Sequence, residues 1–538
     1  MSYKIERVEK DDEGELSIFL KSLTSRDREF FSFLDATPFE AFLDKSRFFA
    51  ALCVKEVGGR IVGYGHLERF SQEHKSHIGR LGIALHPSFR GKGLSRRVMN
   101  ELIKQGSLHF LSKIWLSVHL SNVKAVRLYE RCGFKTEGVF FGEELRGDKK
   151  SDIVSMALYL SGERKVLAPI PWNQPAIQSE EIISVLKVLG SGWLSQGPVT
   201  AAFEKELAQY TGAKYAVAMN NGTSCLMAMF ALSFKPGDRV IFPAFTFVST
   251  LNSALTFGIE PILVDIDATT GNISLDQVEE ILKHNRSVRG IVVVDIAGHP
   301  VDLDRCEKIS SRYGVTIIED AAEAIGAACY GRRVGAFNHL AMFSFHTAKL
   351  LTTIEGGAVT TNDAAMAEKL RKFRSHGEQL DKKFVWDEYG LNFRLTDLQS
   401  AIGLAQLQKL DGFIRRRNEI ANLYRSKLNE RVAFQGVERY VDVHPYMMCI
   451  MLVEEKKVRS EIITELKEKD IFCREGWQPL HKQPVFAKRF CNESYPVSED
   501  FGERSLCLPI YNTMTLEEAG RVVAAVTDAI ESRFQMSL

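Results

Sequence analysis

Lys349 ends the run Phe343-Ser344-Phe345-His346-Thr347-Ala348-Lys349 and stands between two apolar segments. A lysine is exposed and protonated in most settings. Buried, its pKa falls and its amine can act as a Schiff-base nucleophile. Upstream, the apolar run Thr316–Ile318 ends in Glu319-Asp320-Ala321-Ala322, an acidic pair at the place where open α/β sheets hold their ligands. Earlier still, Tyr215–Met219 runs into Asn220-Asn221-Gly222-Thr223-Ser224 and then a helix. Backbone N–H groups and two hydroxyls meet there, a cradle for a phosphate. Alone, Asn-Gly followed by Thr-Ser is also an ordinary turn and cap. Pro243-Ala244-Phe245-Thr246-Phe247-Val248 adds aromatic rings just past another strand end.

A second group lies near the amino terminus. After a strand ending near His86 comes Arg90-Gly91-Lys92-Gly93-Leu94-Ser95-Arg96-Arg97, then a helix. The glycines let the backbone approach an anion closely, and each charge-assisted hydrogen bond there contributes about 1.5–3 kcal/mol. Further on, Asn122 is placed to cap a helix or contact a ligand, the helix carries Tyr129, and Gly133 ends it.

These groups need strands and helices to position them. In the first part, Ile61–Leu67, Gly79–His86 and Lys113–Leu120 read as strands, and Leu94, Val98 and Leu102 mark one helix face. In the second, Tyr215–Met219, Arg239–Phe242, Pro261–Val264, Gly290–Asp295 and Thr316–Ile318 alternate with helical stretches, so an α/β fold with a mainly parallel sheet is expected. Between the parts, Pro169, Pro171 and Pro175 follow a polar stretch and place a seam near residue 165.

The first part resembles the GNAT acetyltransferase family. Its acetyl-CoA motif, Arg/Gln-x-x-Gly-x-Gly/Ala, is matched by Arg90, Gly93 and Ser95, with Ser in place of the small final residue. Its later signature is matched by Asn122, Ala125, Tyr129, Gly133 and Phe134. The resemblance implies a GNAT mixed sheet over 1–165, acetyl-CoA held by Arg90, Gly91, Gly93, Ser95 and Asn122, and Tyr129 as the acid that protonates the leaving thiolate. A base must also take a proton from the attacking amine. Glu68 is the first candidate, with His86 and His119 as alternatives.

The second part resembles the DegT/DnrJ/EryC1/StrS family of fold-type-I sugar aminotransferases along nearly all of 169–538. The motifs are Gly192-Trp193-Leu194-Ser195-Gln196-Gly197-Pro198, the segments above, Asn392-Phe393-Arg394, Pro479-Leu480-His481 and Leu508-Pro509. The resemblance implies that Lys349 binds pyridoxal 5'-phosphate, Asp320 pairs with its pyridinium nitrogen and Phe247 stacks on the ring. Thr223, Ser224 and Ser344 would hold the phosphate, and Asn392 would reach the cofactor of a neighbouring subunit, so a homodimer or larger homo-oligomer is expected. It also implies a large cofactor-binding domain at 166–410 and a small α+β domain at 411–538. Relatives with His in place of the lysine are dehydratases, so Lys349 favours transamination. Three positions depart from the pattern. Glu323 replaces a Gln or His near the cofactor's phenolic oxygen, Ile354 replaces a glycine and is expected to narrow the site, and Asn338-His339 replaces Gly-Asp and reads as loop variation.

Composition removes other classes. Lys plus Arg is 69 and Asp plus Glu is 68 over 538 residues, a net charge of +1, so no strong field draws the chain to nucleic acid or an anionic membrane. Nine scattered cysteines without a C-x-x-C pair favour reduced thiols over a disulfide framework, and no metal site is expected. The charged opening MSYKIERVEKDDEGEL has no apolar core of a secretory leader, so a cytoplasmic protein is expected. The joint reading is a bifunctional enzyme. It aminates a nucleotide-linked keto-deoxysugar with nitrogen from L-glutamate and N-acetylates the product with acetyl-CoA. In the alternatives the first part acetylates an unrelated amine, or only binds acetyl-CoA and regulates its partner.

Overall fold

Period-2 burial builds the first sheet. The computed structural model describes residues 3–24, 43–44, 47–70, 72, 75–146, 149–160, 168–428, 430 and 432–536. The chain divides into two compact units, Met1–Leu167 and Ala168–Leu538. The seam expected near residue 165 falls in 161–167, outside the described residues.

The first unit holds β1 (Tyr3–Arg7), β2 (Phe48–Glu56), β3 (Ile61–Arg69), β4 (Ile78–Leu85), β5 (Lys113–His119), β6 (Lys135–Arg146) and β7 (Lys149–Tyr159), in the order β1-β2-β3-β4-β5-β7-β6. Ile114, Leu116 and Val118 of β5 point inward, as their alternation requires. Helix Leu94–Leu108 buries Leu94, Val98 and Leu102. All neighbours run antiparallel except β4 and β5, which pair in parallel only at Ile78–Lys113, Gly79–Ile114 and Arg80–Trp115. Beyond those pairs the two strands part, and the backbone groups along the opening need another partner.

The second unit is built on β8 (Tyr215–Met219), β9 (Arg239–Pro243), β10 (Glu260–Val264), β11 (Val288–Val294), β12 (Thr316–Asp320), the short β13 (Ala328–Cys329) and β14 (Arg332–Arg333), β15 (Leu340–Ser344) and β16 (Gly357–Thr361). Its main sheet has the order β10-β9-β11-β12-β15-β16-β8, parallel from β10 to β15, with β16 antiparallel to both neighbours. Both faces are covered. Ile291, Val293, Ile317 and Ala341 enter one core, while Val292, Val294, Ile318 and Met342 enter the other. β12 runs two residues past the expected Ile318 because its pairing with β11 continues to Asp320, so the acidic pair lies inside the strand. A smaller sheet follows, with β17 (Ala433–Phe434), β19 (Cys449–Leu452), β20 (Arg474–Glu475) and β21 (Ser505–Leu508) in the order β17-β19-β21-β20, while β18 (Val441–Val443) joins β13. Ile170 pairs with Ile471 and shares the core of that smaller lobe.

Long-range polar contacts set the ends of the elements. Gly197-Pro198 starts helix Pro198–Thr211, and its cap comes from Asp397, whose carboxylate accepts from the N–H groups of Gly197, Val199 and Thr200 at 2.8, 3.1 and 2.9 Å. β8 is an edge strand, yet its outward groups at Ala218 are satisfied. Glu204 accepts from the Ala218 N–H at 2.9 Å, Arg374 donates to its carbonyl at 2.6 Å, and Arg374 and Glu204 pair with each other. No helix among the described residues is long and apolar enough to cross a membrane, and none of their His, Cys, Asp and Glu clusters could hold a metal ion. All nine cysteines are unpaired.

Arg374→Ala leaves Glu204 buried and unpaired and strips the Ala218 carbonyl of its donor. Breaking one side of a buried pair costs about 3–5 kcal/mol. Urea denaturation should show a loss of that size. A change near zero would mean that water replaces the guanidinium.

Candidate functional site

The parallel strands of the second unit deliver the site residues from their carboxyl ends. β8 leads to Asn221, which caps helix Gly222–Ser233 by accepting from the Ser224 N–H at 2.7 Å. The Gly222 and Thr223 N–H groups are left for a ligand. A Cβ on Gly222 would lie 3.2 Å from Ser344 Cβ, so Ser344, at the end of β15, is pressed against this cradle. Thr223 is exposed and Ser224 buried. Asn220 Oδ1 is buried with no hydrogen-bond partner. Asn392 is exposed; beside it the Phe393 carbonyl accepts from the Asn220 N–H at 2.9 Å and Arg394 bridges Met219.

Asp320 ends β12 and is buried. Its Oδ2 accepts from the Thr250 hydroxyl at 2.6 Å and its Oδ1 from the Ala322 N–H at 3.2 Å. Burial raises its pKa, while those hydrogen bonds and the charge of Lys349 oppose the rise. Lys349 Nζ lies 3.1 Å from Glu323 Oε1, and Glu323 Oε2 accepts from the Ala297 N–H at 2.9 Å. Ala297 adopts the left-handed conformation, φ 60°, to aim that N–H. Phe247 precedes helix Val248–Thr256, is half exposed, and its ring centroid is 6.0 Å from that of Trp477. Lys349, Asp320, Glu323 and Thr250 therefore form one cluster, with Ser344 against the cradle of Gly222, Thr223 and Ser224.

The departures acquire physical meaning. The Glu323 carboxylate is answered by Lys349. Ile354 stands at φ 72° with 54% of its surface exposed, so the glycine usual there matches a left-handed turn that a β-branched side chain enters only under strain. His339 is not loop variation. Its side chain is only 5% exposed, with Nε2 3.0 Å from Glu319 Oε2, and burial lowers its pKa to about 4, so it is neutral. Glu319 faces away from Asp320 across the sheet. Its Oε1 and Asp295 Oδ2 are both buried without a hydrogen-bond partner, and the two carboxyls lie close enough to interact. Burial, then the charge of Glu319, pushes Asp295 well up; burial pushes Glu319 up to about 8. Two such groups are not both ionised, so the pair keeps a proton. Thr250, Asp295 and the role of His339 were not read from the sequence; Thr250 lies one helical turn beyond Phe247, the only local signal.

These residues fit pyridoxal phosphate. A buried acid would meet the ring nitrogen, an amine lies in the same cluster, and a helix start with glycine at its first position, flanked by hydroxyls, suits the phosphate.

In the first unit, the turn after β4 carries Gly91 and Gly93 at φ 77° and 76°. Gly93 caps helix Leu94–Leu108 without a side-chain acceptor, so the N–H groups at Leu94 and Ser95 face outward for an anion. Arg90 Nε donates to the Leu85 carbonyl at 3.0 Å, which steadies the turn. Asn122 acts as a cap, accepting from the Ala125 N–H at 3.3 Å. Tyr129 is buried, and burial raises its pKa, so its hydroxyl keeps its proton. Glu68 does not join this group. It sits opposite Arg80, where β4 and β5 are still paired, and is held by both Arg47 and Arg80. Both of its carboxylate oxygens are therefore already occupied by guanidinium donors. His119 ends β5 at the opening, whereas His86 spends Nδ1 on the Ser88 N–H at 3.3 Å.

Residues 175–527 match the DegT/DnrJ/EryC1/StrS aminotransferase family, and residues 19–134 match the GNAT acetyltransferase family. A GDP-perosamine synthase of Escherichia coli O157:H7 is 32% identical over 361 residues, covering 67% of this chain and 98% of that protein. Among solved structures, Helicobacter pylori PseC, an aminotransferase involved in the biosynthesis of pseudoaminic acid, is similar with a TM-score of 0.64. Its identity is 29%, over 68% of this chain and 100% of its own. S. venezuelae DesV gives a TM-score of 0.64 at 30% identity, over 68% of this chain and 99% of its own.

The shared proton makes stability depend on pH. The folded pair keeps a proton that an unfolded glutamate with a pKa of 4.5 releases, so this stabilisation is whole below about 4.5 and is lost as pH rises through about 8. Glu319→Gln keeps both contacts, since its amide can donate to Asp295 and accept from His339. Calorimetry should show the wild-type Tm falling more across that range than the variant's. Parallel profiles would refute the shared proton.

Proposed function

The chain belongs to the DegT/DnrJ/EryC1/StrS aminotransferase family, with a GNAT acetyltransferase domain ahead of it, and on that premise we propose two consecutive steps on one metabolite. The second unit aminates a keto carbon of a nucleotide-linked deoxysugar with nitrogen from L-glutamate. The first unit then acetylates the new amine with acetyl-CoA. The observation that carries the reading is Lys349 paired with Glu323 beside buried Asp320, next to a phosphate cradle. The sugar class is supported by the similarity to a GDP-perosamine synthase and to an aminotransferase of pseudoaminic acid biosynthesis. The product would feed surface polysaccharide or glycoconjugate synthesis in a cytoplasm, a setting that suits nine unpaired thiols.

When bound, pyridoxal phosphate supplies a ring that accepts electrons released at the donor's α-carbon. Asp320, fixed by Thr250, would pair with the ring nitrogen. Gly222 and Thr223 N–H groups, with the Thr223, Ser224 and Ser344 hydroxyls, would hold the phosphate, and Phe247 would shield the ring. Lys349 Nζ binds the cofactor and is the amine placed to move a proton, with Glu323 holding its charge. In the first unit, the sugar amine attacks the thioester carbonyl, a C–N bond forms and the C–S bond breaks. The thiolate takes its proton from the Tyr129 hydroxyl, and His119 at the strand opening is placed to receive the proton of the amine. A cofactor-binding lobe at 166–410 and a small lobe at 411–538 belong to the same proposal; the separate core around Tyr424, Ile462 and Val526 supports the small lobe, although Ile170 from the leading segment packs into it as well.

We also propose a homodimer joined through the second unit. Trp193, Ile354, Phe384, Trp386 and Tyr389 are all exposed, and Tyr389 is 99% exposed. Apolar surface of this extent marks an interaction site. Ser195 and Glu355 both bond to the start of helix Asp397–Leu407, which draws Trp193, Ile354 and the segment ending at Asn392 together.

Mass spectrometry of products from a panel of nucleotide keto-sugars, with glutamate and with or without acetyl-CoA, tests the sequence of steps. Lys349→Ala should abolish amination and leave acetylation of a supplied amino sugar intact. Tyr129→Phe should slow acetyl transfer by about 10²–10⁴, so that amino sugar accumulates. Amino sugar left unacetylated by the intact protein, while another amine is acetylated readily, would separate the two activities. For the dimer, mixing Lys349→Ala protein with Asn392→Ala protein should restore part of the amination through hybrid sites. No recovery despite proven subunit exchange would remove Asn392 from the neighbour's site.

A further inference from the structure

Arg417, in the middle of helix Leu410–Leu428, is fully buried, and no carboxylate pairs with it among the described residues. Its partners are neutral. Nε donates to Asn512 Oδ1 at 2.7 Å, Nη2 donates to Asn173 Oδ1 at 3.4 Å, and Nη1 donates to the carbonyls of Tyr446 and Met447 at 3.1 Å each. Burial lowers its pKa to about 9. A buried cation without a counter-ion is expensive, and an apolar residue of similar volume would often be tolerated better.

Every arm of this arginine continues to Lys349. Asn512 Nδ2 donates to the Leu350 carbonyl at 2.8 Å. Asn173 Nδ2 donates to the Thr347 carbonyl at 3.4 Å. These two carbonyls flank Lys349, whose own N–H closes a turn onto the His346 carbonyl at 2.8 Å. The third arm reaches the amine. The Met447 N–H donates to the Ala297 carbonyl at 3.0 Å, the Ala297 N–H donates to Glu323 Oε2 at 2.9 Å, and Glu323 Oε1 meets Lys349 Nζ at 3.1 Å. The residue types suit relays. A primary amide accepts through oxygen and donates through nitrogen, so an asparagine can bond the guanidinium and a carbonyl at once, which Asp or Leu cannot.

We propose that Arg417 is a positioning residue for Lys349, which it fixes through Asn173 and Asn512 on the backbone and through Met447, Ala297 and Glu323 at the amine. The proposal rests on Lys349 being the cofactor-binding lysine. Its physical content is that neutral relays transmit the placement of one rigid, planar group to a turn that lies between two lobes' worth of structure. A displacement near 1 Å at a reacting atom costs about 10²-fold in rate.

The test uses the full-length protein with Asn173→Ala, Asn512→Ala, Arg417→Gln and Arg417→Lys. With the cofactor removed, brief acetic anhydride labelling across pH, read by mass spectrometry of the Lys349 peptide, gives the labelling rate and its midpoint. The cofactor-loaded enzyme gives kcat and KM for glutamate, and thermal unfolding monitors the fold. We expect each asparagine variant to change the Lys349 labelling rate at least threefold and to lower kcat by roughly tenfold or more, with KM for glutamate little changed. In the Arg417→Gln background a second asparagine deletion should add nothing, and Arg417→Lys should recover only part of the loss. Folded variants that label at the wild-type rate and midpoint would overturn the proposal, as would effects that simply add. Should Arg417→Gln fail to fold, the double Asn173→Ala/Asn512→Ala protein decides by the same labelling criterion. Borohydride fixation of pyridoxal phosphate on another lysine would overturn the assignment of Lys349 as the cofactor lysine. The labelling cycle reads the clamp independently of that outcome.

Discussion

A lysine amine held against a carboxylate, largely out of water, is the contact on which the second unit turns. Lys349 and Glu323 each need the other, because either charge alone would be costly at that depth. Glu323 also needs the Ala297 N–H, and that N–H points the right way only in a left-handed turn at the end of β11. Asp320 adds a second negative charge nearby and is kept in place by Thr250. The requirement to bring these groups together at the ends of parallel strands explains why the sheet is buried on both faces and why β12 extends to Asp320.

The two units solve anion binding differently at helix starts. In the second, a side chain caps the helix and a glycine admits Ser344 against it, so hydroxyls and few N–H groups do the work. In the first, glycine itself is the cap and no side chain competes, which leaves more N–H groups for a ligand. The second unit's arrangement would suit a compact terminal phosphate fixed beside a ring. The first unit's would suit a longer anion lying across a turn.

Local patterns were readable because they act within a few residues. The strands, the Asn221 and Asn122 caps and the Gly91-Lys92-Gly93 turn follow from neighbours in sequence. The sequence alone ends β12 at Ile318 because polar Glu319 and Asp320 look like a strand end, and only pairing with β11 carries it to Asp320. Glu68 looked like a free base because its two arginine partners come from β4 and from a residue preceding β2. His339, Asp295, Asp397 and Arg374 were invisible as partners for the same reason. Each meets its mate across a gap in sequence that only the folded chain closes.

Ile170 has a consequence for the order in which this chain can be completed. It pairs with Ile471 and lies in the core of the lobe that contains Val526. A ribosome therefore releases the first strand-forming residues of the second unit long before their partners exist. All strands of the first unit, by contrast, precede Ala168. Domains fold as units and the amino-terminal one folds first during synthesis. The acetyltransferase unit can thus be finished while the aminotransferase is still being made.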